Sequence, residues 1–184
     1  AMHPAMRHVG PVRRELGVPT VMNIVGPLAN PAGAGRQVVG VADRQRLPLL
    51  AGALAALGSA HALVVHGEPG MDEVSPLGPT YVLEVRAGRV TEWVIDPARL
   101  GFGSYPAEDL AGGSPADNAR IVTEVLGGGG PPGAQAAVIL NAAAAIHVSG
   151  TADSMESAVT TAREALVAGV GLRALNRLRD AYYR

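Results

Sequence analysis

The sequence contains no cysteine, and only 3% of its 184 residues are aromatic. Without cysteine, a disulfide framework, a thiol nucleophile and a zinc–thiolate site are all excluded. An excess of either charge is also lacking, because 15 Lys and Arg face 16 Asp and Glu. We therefore expect neither nucleic acid nor a membrane as a partner. No uninterrupted apolar run approaches about 18 residues and no signal-peptide pattern opens the chain, so the expectation is a cytoplasmic protein.

Hydrophobic residues make up 48% of the chain, and they fall into alternating helical patterns and short apolar runs. This alternation is typical of an α/β fold, a sheet flanked by helices, which we expect to form a single domain over residues 1–184. RQVVGV (36–41) and HALVVHG (61–67) read as strands. A helix predicted over 43–58, with Asp43 as its N-cap, separates them and indicates that they are parallel.

The second half of the sequence predicts a hairpin followed by helices. Two alternating runs over 80–95 meet at Ala87-Gly88, a typical hairpin turn. Further helices are predicted over 4–16, 114–128, 134–150, 154–169 and 172–183. GGGGPPG (127–133) is expected to be a plain connector, because it follows a helix and its prolines remove amide donors that a phosphate-binding loop would need.

Asp72 and Glu73 are adjacent carboxylates directly after the predicted strand 61–67. Open α/β sheets bind ligands at the carboxyl ends of their parallel strands. Two neighbouring carboxylates repel each other, and a hard divalent cation such as Mg²⁺ relieves that conflict. The pattern is therefore consistent with a solvated turn that faces water or with a metal site.

Three other features could bind a ligand or carry chemistry. Arg7, His8, Arg13 and Arg14 form a cationic cluster that suits a carboxylate or phosphate, unless it is only a solvated helix surface. Gly26-Pro27 opens a stiff turn that would bring backbone close to a ligand, or would be an ordinary loop. His147, on an alanine-rich helix, is expected to be a packed or half-exposed helix residue and not a ligand or base.

HPAMRHVGPVRRELGVPTVMNIVGPLANPAG followed by HGEPGMDEVSP resembles the anthranilate phosphoribosyltransferase family. The similarity runs from Ala1 to about Gly169 and includes LNAAAAIHVSGTADSMESAV. It implies the α/β domain of a nucleoside phosphorylase/phosphoribosyltransferase-like fold. It also implies transfer of a phosphoribosyl group from phosphoribosyl pyrophosphate (PRPP) to anthranilate in tryptophan biosynthesis, with Mg²⁺ as cofactor and a homodimer as the intact enzyme.

The resemblance also assigns roles to individual positions. It implies that Asp72 and Glu73 hold Mg²⁺ and that Arg13 binds the anthranilate carboxylate. The other substrate-binding positions that it implies are Gly26 and Pro27, against which the aromatic ring packs, and His3, Pro4 and Met6 along the entry channel. It assigns no residue to proton transfer, because the amine of anthranilate is already neutral and the departure of pyrophosphate is the difficult step.

The family's N-terminal helical domain and Gly-rich phosphate loop do not precede this pattern. We therefore expect the chain to be the C-terminal portion of a longer enzyme, and inactive by itself. Two alternatives remain at this point. One is a related phosphoribosyltransferase or nucleoside phosphorylase with another aromatic acceptor, and the other is a non-catalytic, nucleic-acid-binding relative.

Overall fold

The computed structural model describes residues 33–182 together with Glu15, Gly17, Gly26 and Leu28. Within this part of the chain, a four-stranded sheet has the order β1-β2-β3-β4. The strands are β1 (Arg36–Gly40), β2 (His61–Gly67), β3 (Thr80–Arg86) and β4 (Arg89–Ile95). Strands β1 and β2 are parallel, and the two following pairs are antiparallel. Helices flank this mixed sheet, so the predicted α/β class is confirmed.

The first crossover joins β1 to β2 through helix α1 (Leu47–Ala56). Asp43 is a cap, as predicted, and its side chain accepts a hydrogen bond from the amide of Gln45. The prediction of one continuous helix from this cap is wrong, because Arg44–Arg46 form a 3-10 turn before α1 begins. Pro48 provides the reason. An α-helix that began at Arg44 would need an amide at position 48 to donate to the carbonyl of Arg44, and proline has none. In the first turn of α1, where Pro48 lies, that donor is not needed.

Strand β2 is buried at all seven of its positions. Its side chains alternate between two apolar cores, so that Leu63 and Val65 face one side while Ala62 and Val64 face the other. The Ala62 side contacts α1, and the Leu63 side contacts the helices that follow the hairpin. The nearly continuous apolar run of β2 is therefore the pattern of a strand covered on both faces.

The predicted hairpin is confirmed, with β3 and β4 paired from Thr80↔Ile95 to Arg86↔Arg89. Its two-residue turn has positive φ at both positions, 49° at Ala87 and 77° at Gly88. Such a turn matches the right-handed twist of the two strands. The pairing puts Val82 and Trp93 on the Leu63 side of the sheet and Leu83 on the α1 side.

Four helices follow the hairpin: α2 (Pro115–Leu126), α3 (Pro132–Ser149), α4 (Met155–Val167) and α5 (Val170–Tyr182). They confirm the predicted helices of this region, although α3 and α5 each begin two residues earlier than predicted. Short 3-10 turns at Ala98–Leu100 and Ala107–Leu110 precede them. The glycine-rich segment after Leu126 connects α2 to α3 as expected. No helix among residues 33–182 is long and apolar enough to cross a membrane.

Side-chain caps begin two of these helices. At α2, Ser114 and Asp117 exchange hydrogen bonds in a capping box. The side-chain hydrogen bond from Ser114, together with its backbone amide, lowers the pKa of Asp117 below its ordinary value. At α4, Ser154 and Ser157 form the same reciprocal arrangement. These caps satisfy amides that would otherwise lack partners, and they explain why both helices begin where the sequence predicts.

Only isolated residues of the N-terminal segment are described. Glu15 has helical backbone, in agreement with the helix predicted over 4–16, whose other residues lie outside the described ones. Gly26 is also helical, whereas the sequence predicts a turn there. A Gly-Pro pair is compatible with either structure, because proline is accepted in the first turn of a helix.

We expect Ala87→Asn to raise the free energy of unfolding by about 0.5–1 kcal/mol, because Asn tolerates positive φ better than Ala. Urea unfolding of the two proteins measures the change. Ala111→Asn is the matched control, since Ala111 is exposed with an ordinary φ of −67°. An equal gain at both positions would contradict the turn conformation.

Candidate functional site

The candidate site lies where β1 and β2 end side by side. The parallel register pairs Gly40 with Val65, so the chain leaves both strands at the same edge of the sheet. The segment from Glu68 to Pro79 then folds back over this edge, and it carries Asp72 and Glu73. Both carboxylates are exposed, as their position beyond a strand end predicts.

Two glycines allow this segment to lie directly on the strand ends. A Cβ added to Gly40 would be 1.6 Å from the carbonyl oxygen of Asp72. A Cβ added to Gly67 would be 2.6 Å from the carbonyl oxygen of Glu73 and equally close to the Cβ of Ser75. Only glycine permits backbone to approach backbone this closely. The position of both carboxylates therefore depends on the main chain of β1 and β2.

Asn141 of α3 holds the same segment from the other side. Its Oδ1 accepts a hydrogen bond from the amide of Val74, and its Nδ2 donates to the carbonyl of Val74, each at 2.9 Å. One side chain thus satisfies both backbone groups of the buried residue that follows Glu73. This pairing anchors the carboxylate-bearing segment to the longest helix of the described chain.

Hydrogen bonds also close the rest of the segment. The amide of Ser75 donates to the Thr80 hydroxyl at 2.9 Å, and the Ser75 hydroxyl donates to the carbonyl of Glu68. His66 Nδ1 lies 2.7 Å from the carbonyl oxygen of Val41, which ties the end of β2 to the residue after β1. The backbone beneath Asp72 and Glu73 is therefore fixed before any ligand binds.

The two carboxylates themselves are available to a ligand. Within residues 33–182, neither Asp72 nor Glu73 has a side-chain hydrogen bond or an ion pair. Two adjacent carboxylates on a rigid backbone fit a hard divalent cation such as Mg²⁺, which takes one or two protein carboxylates and completes its shell with phosphate oxygens and water. The donor set therefore fits Mg²⁺, and the magnesium site stays a prediction.

Among the other predicted site residues, only Gly26 belongs to the described part of the chain. Arg13, His3, Pro4, Met6 and Pro27 lie outside the described residues. Gly26 is described: it is exposed, and a Cβ added there would have nothing within 4 Å. Nearby, Leu28 packs against the core on the α1 side of the sheet. The substrate-binding roles of all six predicted residues stay predictions.

Comparison with known proteins agrees with this architecture. Residues 1–172 match the sequence profile of the family described as "Glycosyl transferase family, a/b domain". The match covers far more than half of the chain, and the chain therefore belongs to this glycosyl transferase family. The anthranilate phosphoribosyltransferase of Anaeromyxobacter sp. (strain K) is 49% identical over 179 residues, which are 96% of this chain and 52% of that protein. The chain thus spans about half the length of the curated relatives it matches.

Solved structures show the same relationship. Anthranilate phosphoribosyltransferase from Thermus thermophilus superposes with a TM-score of 0.84 at 44% identity, over 95% of this chain and 51% of that one. The enzyme from Saccharomyces cerevisiae in complex with PRPP and Mg superposes with a TM-score of 0.80 at 30% identity, over 93% and 49%. These superpositions confirm the predicted phosphoribosyltransferase-like α/β fold and the resemblance from which it was expected.

Sequence reasoning missed the residues that position the carboxylates. Asn141 is a single amide in a run of Ala, Val, Ile and Leu, and that contrast was the available signal. A polar residue on an apolar helix needs a partner, but the sequence does not show which one. Gly40 gave a weaker signal as a glycine inside a predicted strand, where close approach of another backbone is a common cause.

We expect Gly40→Ala to lower the free energy of unfolding by about 1–3 kcal/mol, because the new methyl group overlaps the Asp72 carbonyl. Backbone amide NMR signals of residues 71–75 should shift as well. Gly52→Ala is the matched control, because a Cβ there, within α1, meets nothing within 4 Å. That substitution should be neutral or stabilising by about 0.5–1 kcal/mol. Unchanged signals from 71–75 in Gly40→Ala would contradict the close approach.

Proposed function

We propose that this chain carries the metal-binding and acceptor-binding portion of an anthranilate phosphoribosyltransferase. The reaction transfers the phosphoribosyl group of PRPP to anthranilate and yields N-(5-phosphoribosyl)anthranilate and pyrophosphate, a step of tryptophan biosynthesis. The observation that carries the proposal is the rigid placement of the exposed Asp72 and Glu73 at the ends of two parallel strands. The relatives' names supply the substrates, and one of them is solved with PRPP and Mg.

The chemistry of the reaction explains the carboxylate pair. Breaking the bond between the ribose carbon and pyrophosphate leaves negative charge on the departing group. Mg²⁺, when bound, would neutralise that charge and thereby stabilise the transition state. Asp72 and Glu73 would hold the cation in position, and Asn141 and Gly40 would keep their backbone still. Preorganisation of this kind is effective because little reorganisation is needed when the charge develops.

Binding of the acceptor rests on the resemblance to the family. Arg13 would bind the anthranilate carboxylate through a charge-assisted, bidentate hydrogen bond and so orient the amine towards the ribose carbon. Gly26 and Pro27 would pack against the aromatic ring, with His3, Pro4 and Met6 along the entry channel. We include homodimer assembly and a cytoplasmic location in the proposal on the same grounds. The near-neutral charge, −1 at pH 7, argues against nucleic acid as a partner.

The double variant Asp72→Asn with Glu73→Gln should lose metal binding, because neutral amides are poor ligands for a hard cation. In the unchanged protein, Mn²⁺ with pyrophosphate should broaden the amide NMR signals of residues 71–75, and in the variant it should not. Activity is assayed by the loss of anthranilate fluorescence in a fusion that places the first half of the Anaeromyxobacter relative before Ala1. We expect activity to fall by on the order of 100-fold or more.

Glu92→Gln is the control for this experiment, since Glu92 is an exposed carboxylate on β4, the outer strand of the sheet that is farthest from β1. It should leave both the broadening and the activity unchanged. Equal metal dependence in the double variant and the control would refute the assignment of the metal site.

Arg13→Ala in the same fusion should raise the KM for anthranilate by about 10- to 100-fold, the equivalent of a charge-assisted hydrogen bond of roughly 1.5–3 kcal/mol. The KM for PRPP should change much less, because Arg13 is assigned to the acceptor alone. Arg14→Ala is the adjacent control. A larger effect at Arg14 than at Arg13, or equal losses for both substrates, would show that the acceptor role is misassigned.

A further inference from the structure

A second group of metal-ligating side chains lies at the opposite end of β2. His61 begins β2, Glu84 lies within β3 and His147 lies near the end of α3. Leu63 pairs with Glu84, and His61 pairs with Arg86, so His61 and Glu84 are diagonal neighbours on one face of the sheet. Their side chains meet with His61 Nε2 only 2.7 Å from Glu84 Oε1. We refer to these three residues as the His-Glu-His cluster.

The cluster is mostly buried, and its possible ligand atoms lie close together. The exposed fractions of the side chains are 3% for His61, 15% for Glu84 and 11% for His147. One ligand atom from each residue lies within 4.8 Å of the other two. Bonds of about 2.0–2.2 Å in tetrahedral geometry put ligand atoms roughly 3.3 Å apart. The observed distances from Glu84 Oε1, 2.7 Å to His61 and 3.7 Å to His147, lie on either side of that value.

His147 lacks a hydrogen-bond partner among the described residues. Its Nδ1 is buried without a hydrogen bond to any of them. Its Nε2 lies 3.7 Å from Glu84 Oε1, which is beyond hydrogen-bonding range. Edge-to-face contacts with His61 and Trp93 hold the ring in this position. The Nε2 atom, which lies nearest to Glu84 and makes no hydrogen bond with the described residues, is the atom that can bind a ligand together with Glu84 and His61.

The surroundings of Glu84 complete the arrangement. Trp93 Nε1 donates a hydrogen bond of 2.9 Å to Glu84 Oε2, which leaves Oε1 directed at the two imidazoles. Second partners of this kind orient the ligands of metal sites. A cavity of about 330 Å³ borders Glu84, His147 and Trp93, and gives water and ions access to the cluster.

We propose that His61, Glu84 and His147 bind a divalent cation of the Zn²⁺ type through two imidazole nitrogens and one carboxylate oxygen. The donor set favours Zn²⁺ over Mg²⁺, because imidazole suits Zn²⁺ whereas Mg²⁺ takes oxygen ligands. Water from the cavity fills the remaining position. The bound ion connects β2, β3 and α3. The site is separate from Asp72 and Glu73, since the seven residues of β2 place the two ends of the strand roughly 20 Å apart.

The test uses the purified protein without a polyhistidine tag, first stripped of metal by a chelator. Calorimetric titration with Zn²⁺ should show one saturable site, and Co²⁺ should give the visible absorption of a four-coordinate complex. Zn²⁺ should also raise Tm, because the metal binds only the folded state. Trp93→Phe removes the donor to Glu84 and should weaken Zn²⁺ by roughly 10-fold. His147→Gln removes a ligand and should weaken it by more than that.

Two controls separate this site from others on the chain. The double variant Asp72→Asn with Glu73→Gln should leave Zn²⁺ affinity unchanged, and so should His3→Gln with His8→Gln. Circular dichroism of metal-free His147→Gln checks that this variant folds, and His61→Gln serves in its place if it does not. The proposal is overturned if the unchanged protein binds no Zn²⁺ or Co²⁺, or if folded His147→Gln binds both as tightly.

Discussion

Complete burial of β2 is the constraint on which the rest of the structure depends. A strand covered on both faces needs a layer on each side, and α1 supplies one while α3 and α4 supply the other. Polar side chains are tolerated in it only with partners, as for His66 on the carbonyl of Val41 and His61 on Glu84. The interior of the strand is therefore unsuitable for ligands, and both candidate sites are found at its ends.

The two ends of β2 differ in which contacts fix the geometry of the candidate site. At the carboxyl end, the main chain fixes the geometry: Gly40 and Gly67 admit the folded-back segment, and Asn141 takes both backbone groups of Val74. Asp72 and Glu73 then stay exposed to an external ligand. At the amino end, side chains contact one another directly, and the carboxylate of Glu84 is shared between an imidazole and an indole. The exposed carboxylates at the carboxyl end suit a substrate that binds and leaves, and the largely buried side chains at the amino end suit a permanently bound ligand.

Sequence reasoning succeeded where the signals were local. Asp43, Ser114 and the Ala87-Gly88 pair marked element boundaries because caps and turns depend on neighbours within a few residues. The exposed position of Asp72 and Glu73 followed from one strand and the turn after it. The partners of Asn141 and His147 could not be predicted in this way. Val74 is 67 residues from Asn141 in the sequence. The contact of His147 with Glu84 depends on how α3 packs on the sheet. The expectation of a packed or half-exposed helix residue at His147 agrees with its small exposed fraction but did not reveal its neighbours.

The carboxylate of Glu84 also helps to fix the register in which β3 and β4 pair. Because side chains alternate across a sheet, a slip of one residue between β3 and β4 would take the Trp93 indole away from Glu84 and leave a buried charge without its donor. Purely apolar strands would tolerate that slip at far lower cost in free energy. Replacing Glu84 and both of its partners, His61 and Trp93, by apolar residues of similar size could therefore yield a protein that is as stable but less uniquely aligned. The hydrogen bond between Trp93 and Glu84 thus specifies which alignment of β3 and β4 is correct, and hydrophobic burial alone does not provide that information.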